Sequence, residues 1–167
     1  MKAIVLAYHD IGCAGLEALL RNGFDVQAVF THKDNPSEAV WFQSVAELAA
    51  ARGIAVYAPE DINHPIWAEK IRALKPEIII CDEVFSGLSM SEIASMVPLI
   101  ERLQMEGITL IMIEHRLREL FRVANRIMVL NFGEKLTEGT AEAVMADERV
   151  KAAYFGSQKV AEVMKHA

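Results

Sequence analysis

Cationic charge is scarce in this chain. Its 167 residues hold 17 Lys and Arg against 23 Asp and Glu, a formal net charge of −6. Nucleic acids and anionic membrane surfaces are held by clustered Lys and Arg, so both are set aside as partners. Cysteine is limited to Cys13 and Cys81, far apart in sequence. With no secretory leader they read as free buried thiols of a reducing compartment, and the expected location is cytoplasmic. No apolar run approaches the roughly 18 residues of a membrane span. Aromatics make up only 7% while hydrophobic residues make up 53%. The apolar mass is therefore aliphatic, as in helices packed on a parallel sheet. No repeat, low-complexity stretch or Gly/Ser linker interrupts the chain. One domain over residues 1–167 is expected, long enough to build a core without staples.

What is present is an alternation of strand-like and helix-like stretches, which predicts an α/β fold with a mainly parallel sheet. Strands are expected over residues 2–7, 26–30, 54–57, 77–81, 108–113 and 126–130. Helices are expected over 12–21, 44–51, 65–74, 89–104 and 116–123. Ser44-Val45-Ala46-Glu47 and Ser89-Met90-Ser91-Glu92 are capping boxes. His64 starts the helix whose first turn holds Pro65. Residues 31–37, with Asn35-Pro36, read as a loop. Pro98 lies inside a helix and predicts a kink. Asn131-Phe132-Gly133-Glu134 reads as a hairpin turn into a seventh, antiparallel strand over 135–138. Two short helices are expected near 141–145 and 148–154.

Several short stretches in the first 75 residues are distinctive. They are Ala7-Tyr8-His9-Asp10-Ile11-Gly12, Thr31-His32, Asp34-Asn35-Pro36, Ser44-Val45-Ala46, Val56-Tyr57-Ala58-Pro59 and Asn63-His64-Pro65. Together they resemble the formyltransferase domain of the bacterial enzymes that formylate UDP-4-amino-4-deoxy-L-arabinose in polymyxin resistance. The resemblance implies a Rossmann-like core, N10-formyltetrahydrofolate as donor, and a catalytic Asn, His and Asp beyond the fourth strand. No Asn-x-His follows the fourth strand here, so no formyltransferase catalytic residue is carried over.

From residue 78 the chain changes character. Ile78-Ile79-Ile80-Cys81-Asp82-Glu83 is a hydrophobic strand ending in two acids, the form of a Walker B motif. Ser86-Gly87-Leu88-Ser89 and Glu114-His115 follow it. Then come Arg126-Ile127-Met128-Val129-Leu130, Gly133-Glu134, Glu138-Gly139-Thr140 and Ala153-Tyr154-Phe155-Gly156. This order resembles the ATPase subunits of ABC transporters, most of all the branched-chain amino-acid importers. The resemblance implies that Asp82 helps hold Mg²⁺, Glu83 polarises the attacking water and His115 contacts the γ-phosphate. The phosphate cradle, Gly-x-x-x-x-Gly-Lys-Ser/Thr, occurs nowhere in the 167 residues, nor does Leu-Ser-Gly-Gly-Gln. Backbone amides and the Lys of that cradle do most of the nucleotide binding. Asp82, Glu83 and His115 are therefore read as vestigial, and no ATP hydrolysis is expected.

The two resemblances meet where a helix ends, a Pro76 turn follows and a buried strand begins, a pattern both parents share. Residues 1–77 read as a formyltransferase-like half and 78–167 as an ABC-ATPase-like half. The fold class implied is a three-layer Rossmann-like or P-loop-like α/β sandwich, its parallel sheet closed by an antiparallel C-terminal edge strand. The expected strand order is 3-2-1-4-5, with the sixth strand beyond the fifth and the seventh at the edge. The alternative inserts the fifth strand between the first and fourth. The functional expectation is an engineered chimera with no intact active site, no cofactor and no physiological partner. The alternative is weak nucleotide or sugar-nucleotide binding.

Ligands of open α/β sheets sit at the carboxyl ends of the strands. Those ends carry Tyr8, His9, Asp10, Thr31, His32, Asp82, Glu83, Glu114 and His115. An adventitious Zn²⁺ or Mg²⁺ there is weighed against a solvated, inherited rim, and no metal site is assigned. Gly12 and Gly15 open a helix after a strand and form a weak anion-site candidate. A tight turn packed against the sheet is the preferred reading of them. Cys13 and Cys81 read as core thiols, and Met90, Met96 and Met105 as core or former interface. Apolar surface left by missing parental regions favours a homodimer.

Overall fold

The computed structural model describes residues 1–32, 43–62, 64–86 and 88–155. The Asn35-Pro36 loop, Asn63, Gly87, Gly156 and His166 lie outside the described residues. The elements follow in the order β1 (Lys2–Leu6), α1 (His9–Arg21), β2 (Asp25–Phe30), α2 (Val45–Ala51), β3 (Ala55–Tyr57), α3 (Pro65–Leu74) and β4 (Ile78–Asp82). The chain continues through α4 (Met90–Met105), β5 (Thr109–Ile113), α5 (Leu117–Val123), β6 (Ile127–Asn131), β7 (Glu134–Gly139), α6 (Ala141–Ala146) and α7 (Glu148–Val150). A π-helical turn, Lys151–Phe155, follows.

Contacts divide the chain into two compact units. The first holds Met1–Ser89 with Pro98–His115, and the second holds Met90–Val97 with the chain from Arg116 onward. The division falls inside α4, which runs helical through Pro98.

The first unit is built on a five-stranded sheet in the order β3-β2-β1-β4-β5, all pairs parallel. Alternation along each strand sends residues to opposite faces. On one face Ala3, Val5, Val29, Ile78 and Ile80 pack with Cys13, Leu16 and Leu19 of α1 and Val45 and Ala49 of α2. On the other, Ile4, Ala28 and Phe30 meet Tyr57, Trp67, Ile71 and Leu74. Leu16 is fully buried, which contributes about 1.5–3 kcal/mol.

Local signals set several boundaries as the sequence predicts. Ser44 caps α2, its hydroxyl accepting from the Glu47 amide at 3.3 Å. His64 caps α3 through Nδ1, which accepts from the Ile66 amide at 3.4 Å. The start of α1 differs from expectation. It begins at His9, three residues before Gly12, with Tyr8 in the extended N-cap position and no capping bond from its side chain. Met90 and Met105 are exposed rather than core.

The chain around Glu77 is stitched into the sheet. Glu77 donates its amide to the Lys2 carbonyl at 2.9 Å, and its carbonyl accepts from the Thr109 amide at 2.9 Å. The register then runs Ala3 to Ile78, Ile4 to Ile79, Val5 to Ile80 and Leu6 to Cys81. The strand order 3-2-1-4-5 stands, and the fifth strand is not inserted beside the first.

The expected place of the sixth and seventh strands is corrected. Among the described residues β6 pairs only with β7, as a separate antiparallel sheet in the second unit. An isolated two-stranded ribbon is marginal in water. This one is backed on one face, where Ile127 and Val129 pack with Val144, Val150, Phe121 and Leu136. Its turn holds Phe132 and Gly133 at φ 48° and 82°, the left-handed pair that a two-residue hairpin demands.

Candidate functional site

Four parallel strands of the first unit end on the same rim, because β1, β2, β4 and β5 run in one direction. Leu6 is level with Phe30 and Cys81, and Asp82 with Ile113. Tyr8 to Asp10, Thr31 and His32, Asp82 and Glu83, and Glu114 and His115 therefore leave the sheet at one end. The structure brings together the residues that the sequence predicted for this rim.

The rim has two clusters. Tyr8 lies between two imidazoles, its ring centroid 3.9 Å from that of His9 and 5.7 Å from that of His32, both edge-on. Across β4, His115 Nδ1 lies 3.8 Å from Glu83 Oε1. Both side chains are more than half exposed, so the pair is weak and is an ion pair only with His115 protonated. Glu83 sits in the left-handed region at φ 49°. Its amide donates to the Ile113 carbonyl and its carbonyl accepts from the Ser86 amide, both at 2.9 Å. Those two bonds hold the strained backbone that turns Glu83 toward His115. Glu114 is turned elsewhere, with Oε1 accepting from the Phe85 amide at 2.8 Å.

Asp82 is the perturbed acid of the rim. Its carboxyl is raised above the ordinary carboxylate range by burial first and by the neighbouring Glu83 second, while His9 pulls it down. Asp82 Oδ1 is buried with no hydrogen-bond partner among the described residues. Thr31 Oγ1 shares that condition. His9 is thus the one member of the N-terminal cluster whose charge acts on Asp82. Sequence reasoning placed both on the rim without pairing them, since nothing in the spacing foretells His9 at φ 61°.

Cys81 is not activated. Burial, with Glu114 adding repulsion, pushes the Cys81 thiol up to about 12. Cys13 is buried and its thiol donates to the Gln43 carbonyl at 3.4 Å. No group of three His, Cys, Asp or Glu side chains is placed to hold a metal ion among the described residues.

Gly12 and Gly15 part company. A Cβ on Gly12 would lie 2.9 Å from the Ala7 Cβ, so the first turn of α1 needs glycine to approach the strand. The Gly12 amide is also engaged, donating to the Tyr8 carbonyl at 3.3 Å. Gly15 has open space around it. Asp10 already brings a carboxylate to the first turn of α1, with Oδ1 accepting from the Gln43 amide at 2.8 Å. An incoming anion would meet that charge.

Comparison with known proteins gives one family match. A model of the branched-chain amino acid ATP-binding cassette transporter family matches residues 134–160, from β7 onward. Among solved structures the chain is similar to MJ1267 in its ADP conformation, an ATP-binding cassette of an ABC transporter. The TM-score is 0.46 and the identity 16%, over 100% of this chain and 88% of that one. It is also similar to cbiO1 from Clostridium perfringens, part of the ABC transporter complex cbiONQ. There the TM-score is 0.49 and the identity 12%, over 98% of this chain and 87% of that one. Both likenesses are loose, and the fold described above rests on the chain's own strand pairings.

Proposed function

We propose that this chain is a chimera of a formyltransferase-like fragment, residues 1–77, and an ABC-ATPase-like fragment, residues 78–167, without catalytic function. One observation carries the reading. The nine rim residues include four carboxylates, Asp10, Asp82, Glu83 and Glu114, and no Lys or Arg. A bound polyphosphate would face fixed negative charge with no cradle of amides or ammonium to offset it. The Glu83–His115 pair keeps the form of a water-polarising acid beside a phosphate-sensing imidazole, but none of the nine rim residues is a Lys or Arg that would hold a phosphate against it. The formyltransferase chemistry is no better served, since the catalytic Asn, His and Asp of that family have no counterpart after β4.

A second reading, weak binding of a nucleotide or sugar nucleotide, draws on the same Glu83–His115 pair and on the amides at the start of α1. Asp10 and the engaged Gly12 amide weigh against it. Calorimetric titration with MgATP, a UDP-sugar and a folate separates the two. Non-catalytic scaffolding predicts no saturable heat with any of them, and micromolar saturation with one would establish the second reading.

A further inference from the structure

Of the four strands that edge the two sheets, three are guarded and one is not. The outer strand β3 is three residues long, and Lys70 lies 4.3 Å over its Tyr57 ring. β7 carries Glu134, Lys135 and Glu138. Short length and charge are the usual defences of an edge strand. β6 lacks charge, but opposite Val129 and Leu130 its partner β7 carries an extra residue, Leu136, and such a bulge bends and twists the ribbon away from flat edge pairing. β5 has no such defence. It is Thr-Leu-Ile-Met-Ile, without charge, proline, glycine or bulge.

The backbone of β5 defines what fits it. The Thr109 amide donates to Glu77, and the Ile113 carbonyl accepts from the Glu83 amide, both on the β4 side. In a parallel ladder such residues alternate, so Thr109, Ile111 and Ile113 face β4, and the N–H and C=O groups of Leu110 and Met112 face outward. β5 ends the sheet. The outward groups ask for another strand.

We propose that β5 is a homodimer interface, with two copies pairing antiparallel about a twofold axis through Ile111. The axis sets Leu110 opposite Met112 of the second copy, and Met112 opposite its Leu110. Each of these two pairs exchanges two hydrogen bonds, so every outward group is used. Ile111 meets Ile111 as a non-hydrogen-bonded pair with Cα atoms about 4.5 Å apart. Ile111, 44% exposed, gains Ile111 of the second copy as its cross-strand neighbour, and Ile113 lies opposite Thr109 of the second copy and diagonal to its Ile111. A second copy is the occupant because the outward pattern is its own complement, and the pairing closes with no new edge. The strand's neutrality also matters in a chain of net charge −6, since no like charges meet across the axis.

The test is sedimentation of the full chain without ligand, so its outcome does not depend on the catalytic reading. The parent chain is expected to dimerise with rising concentration. Ile111→Lys, which sets two ammonium groups on the axis, is expected to weaken dimerisation at least about tenfold with an unchanged far-ultraviolet circular dichroism spectrum. Oxidation provides a measure that does not rely on that variant folding. Ile111→Cys is expected to cross-link at the axis, within disulfide reach. Ile113→Cys, with its two copies about 13 Å apart, should stay at the background set by the parent's Cys13 and Cys81. A monomer at every concentration overturns the proposal. So does a folded Ile111→Lys dimer as tight as the parent, or Ile113→Cys cross-linking as fast as Ile111→Cys.

Discussion

Asp82 shows what single residues contribute here. Its raised carboxyl, caused by burial and then Glu83, binds a proton more tightly in the folded state than in the unfolded one. Folded stability therefore falls as pH rises from the ordinary Asp value, about 3.9, through the raised one. Asp82→Asn is expected to raise the melting temperature at pH 7 and to leave it unchanged near pH 3. A lowered melting temperature at pH 7 would show that the Asp82 carboxylate has a stabilising partner. The glycines give a second contrast. Gly12→Ala is expected to cost about 1–3 kcal/mol through the clash with Ala7. Gly15→Ala, in open space inside α1, is expected to gain up to about 1 kcal/mol. Urea denaturation reads both, and a neutral Gly12→Ala would count against the close approach. At this scale the sequence disclosed which residues reach the rim, since a hydrophobic run ending in Asp82-Glu83 places them at a strand's end. It did not disclose their mutual geometry. The left-handed backbones of His9 and Glu83, which aim the two clusters, are imposed by tertiary context on residues that rarely adopt them.

Among elements, caps and turns were the most legible features. Ser44 and His64 do what their positions predict, because each needs only a local amide to accept. The hairpin was legible too, although Phe132 is an awkward occupant, fully exposed and at φ 48°. Phe132→Asn, giving the Asn-Gly pair favoured by such turns, is expected to stabilise the second unit by about 1 kcal/mol. Thermal unfolding followed with and without the change measures this, and a loss of stability would mean that the Phe132 ring has a partner. The start of α1 was misjudged because Tyr8 offers no capping oxygen to the helix, so Gly12 looked like the earliest signal. β6 was misplaced for a different reason. Its alternating burial is that of a strand covered on one face, and α5 to α7 supply that cover. An apolar strand following β5 in sequence gives no sign that its burial comes from helices rather than from a place in the larger sheet.

For the whole molecule, the sheet leaves no mark of the proposed joint near residue 77. β4 enters beside β1 with continuous register, and the helix, Pro76 turn and buried strand suit both resemblances. The strand order could be foreseen because a parallel βαβ chain admits few arrangements. Continuity of the sheet does not carry chemistry with it. The rim assembles acids and imidazoles from the ends of β1, β2, β4 and β5, but a phosphate cradle would have to come from sequence that these residues do not contain. Phosphate release from MgATP by the parent chain and by Glu83→Gln tests this most directly. The account predicts that both release phosphate at the rate of buffer alone. Turnover by the parent chain that Glu83→Gln abolishes would contradict it.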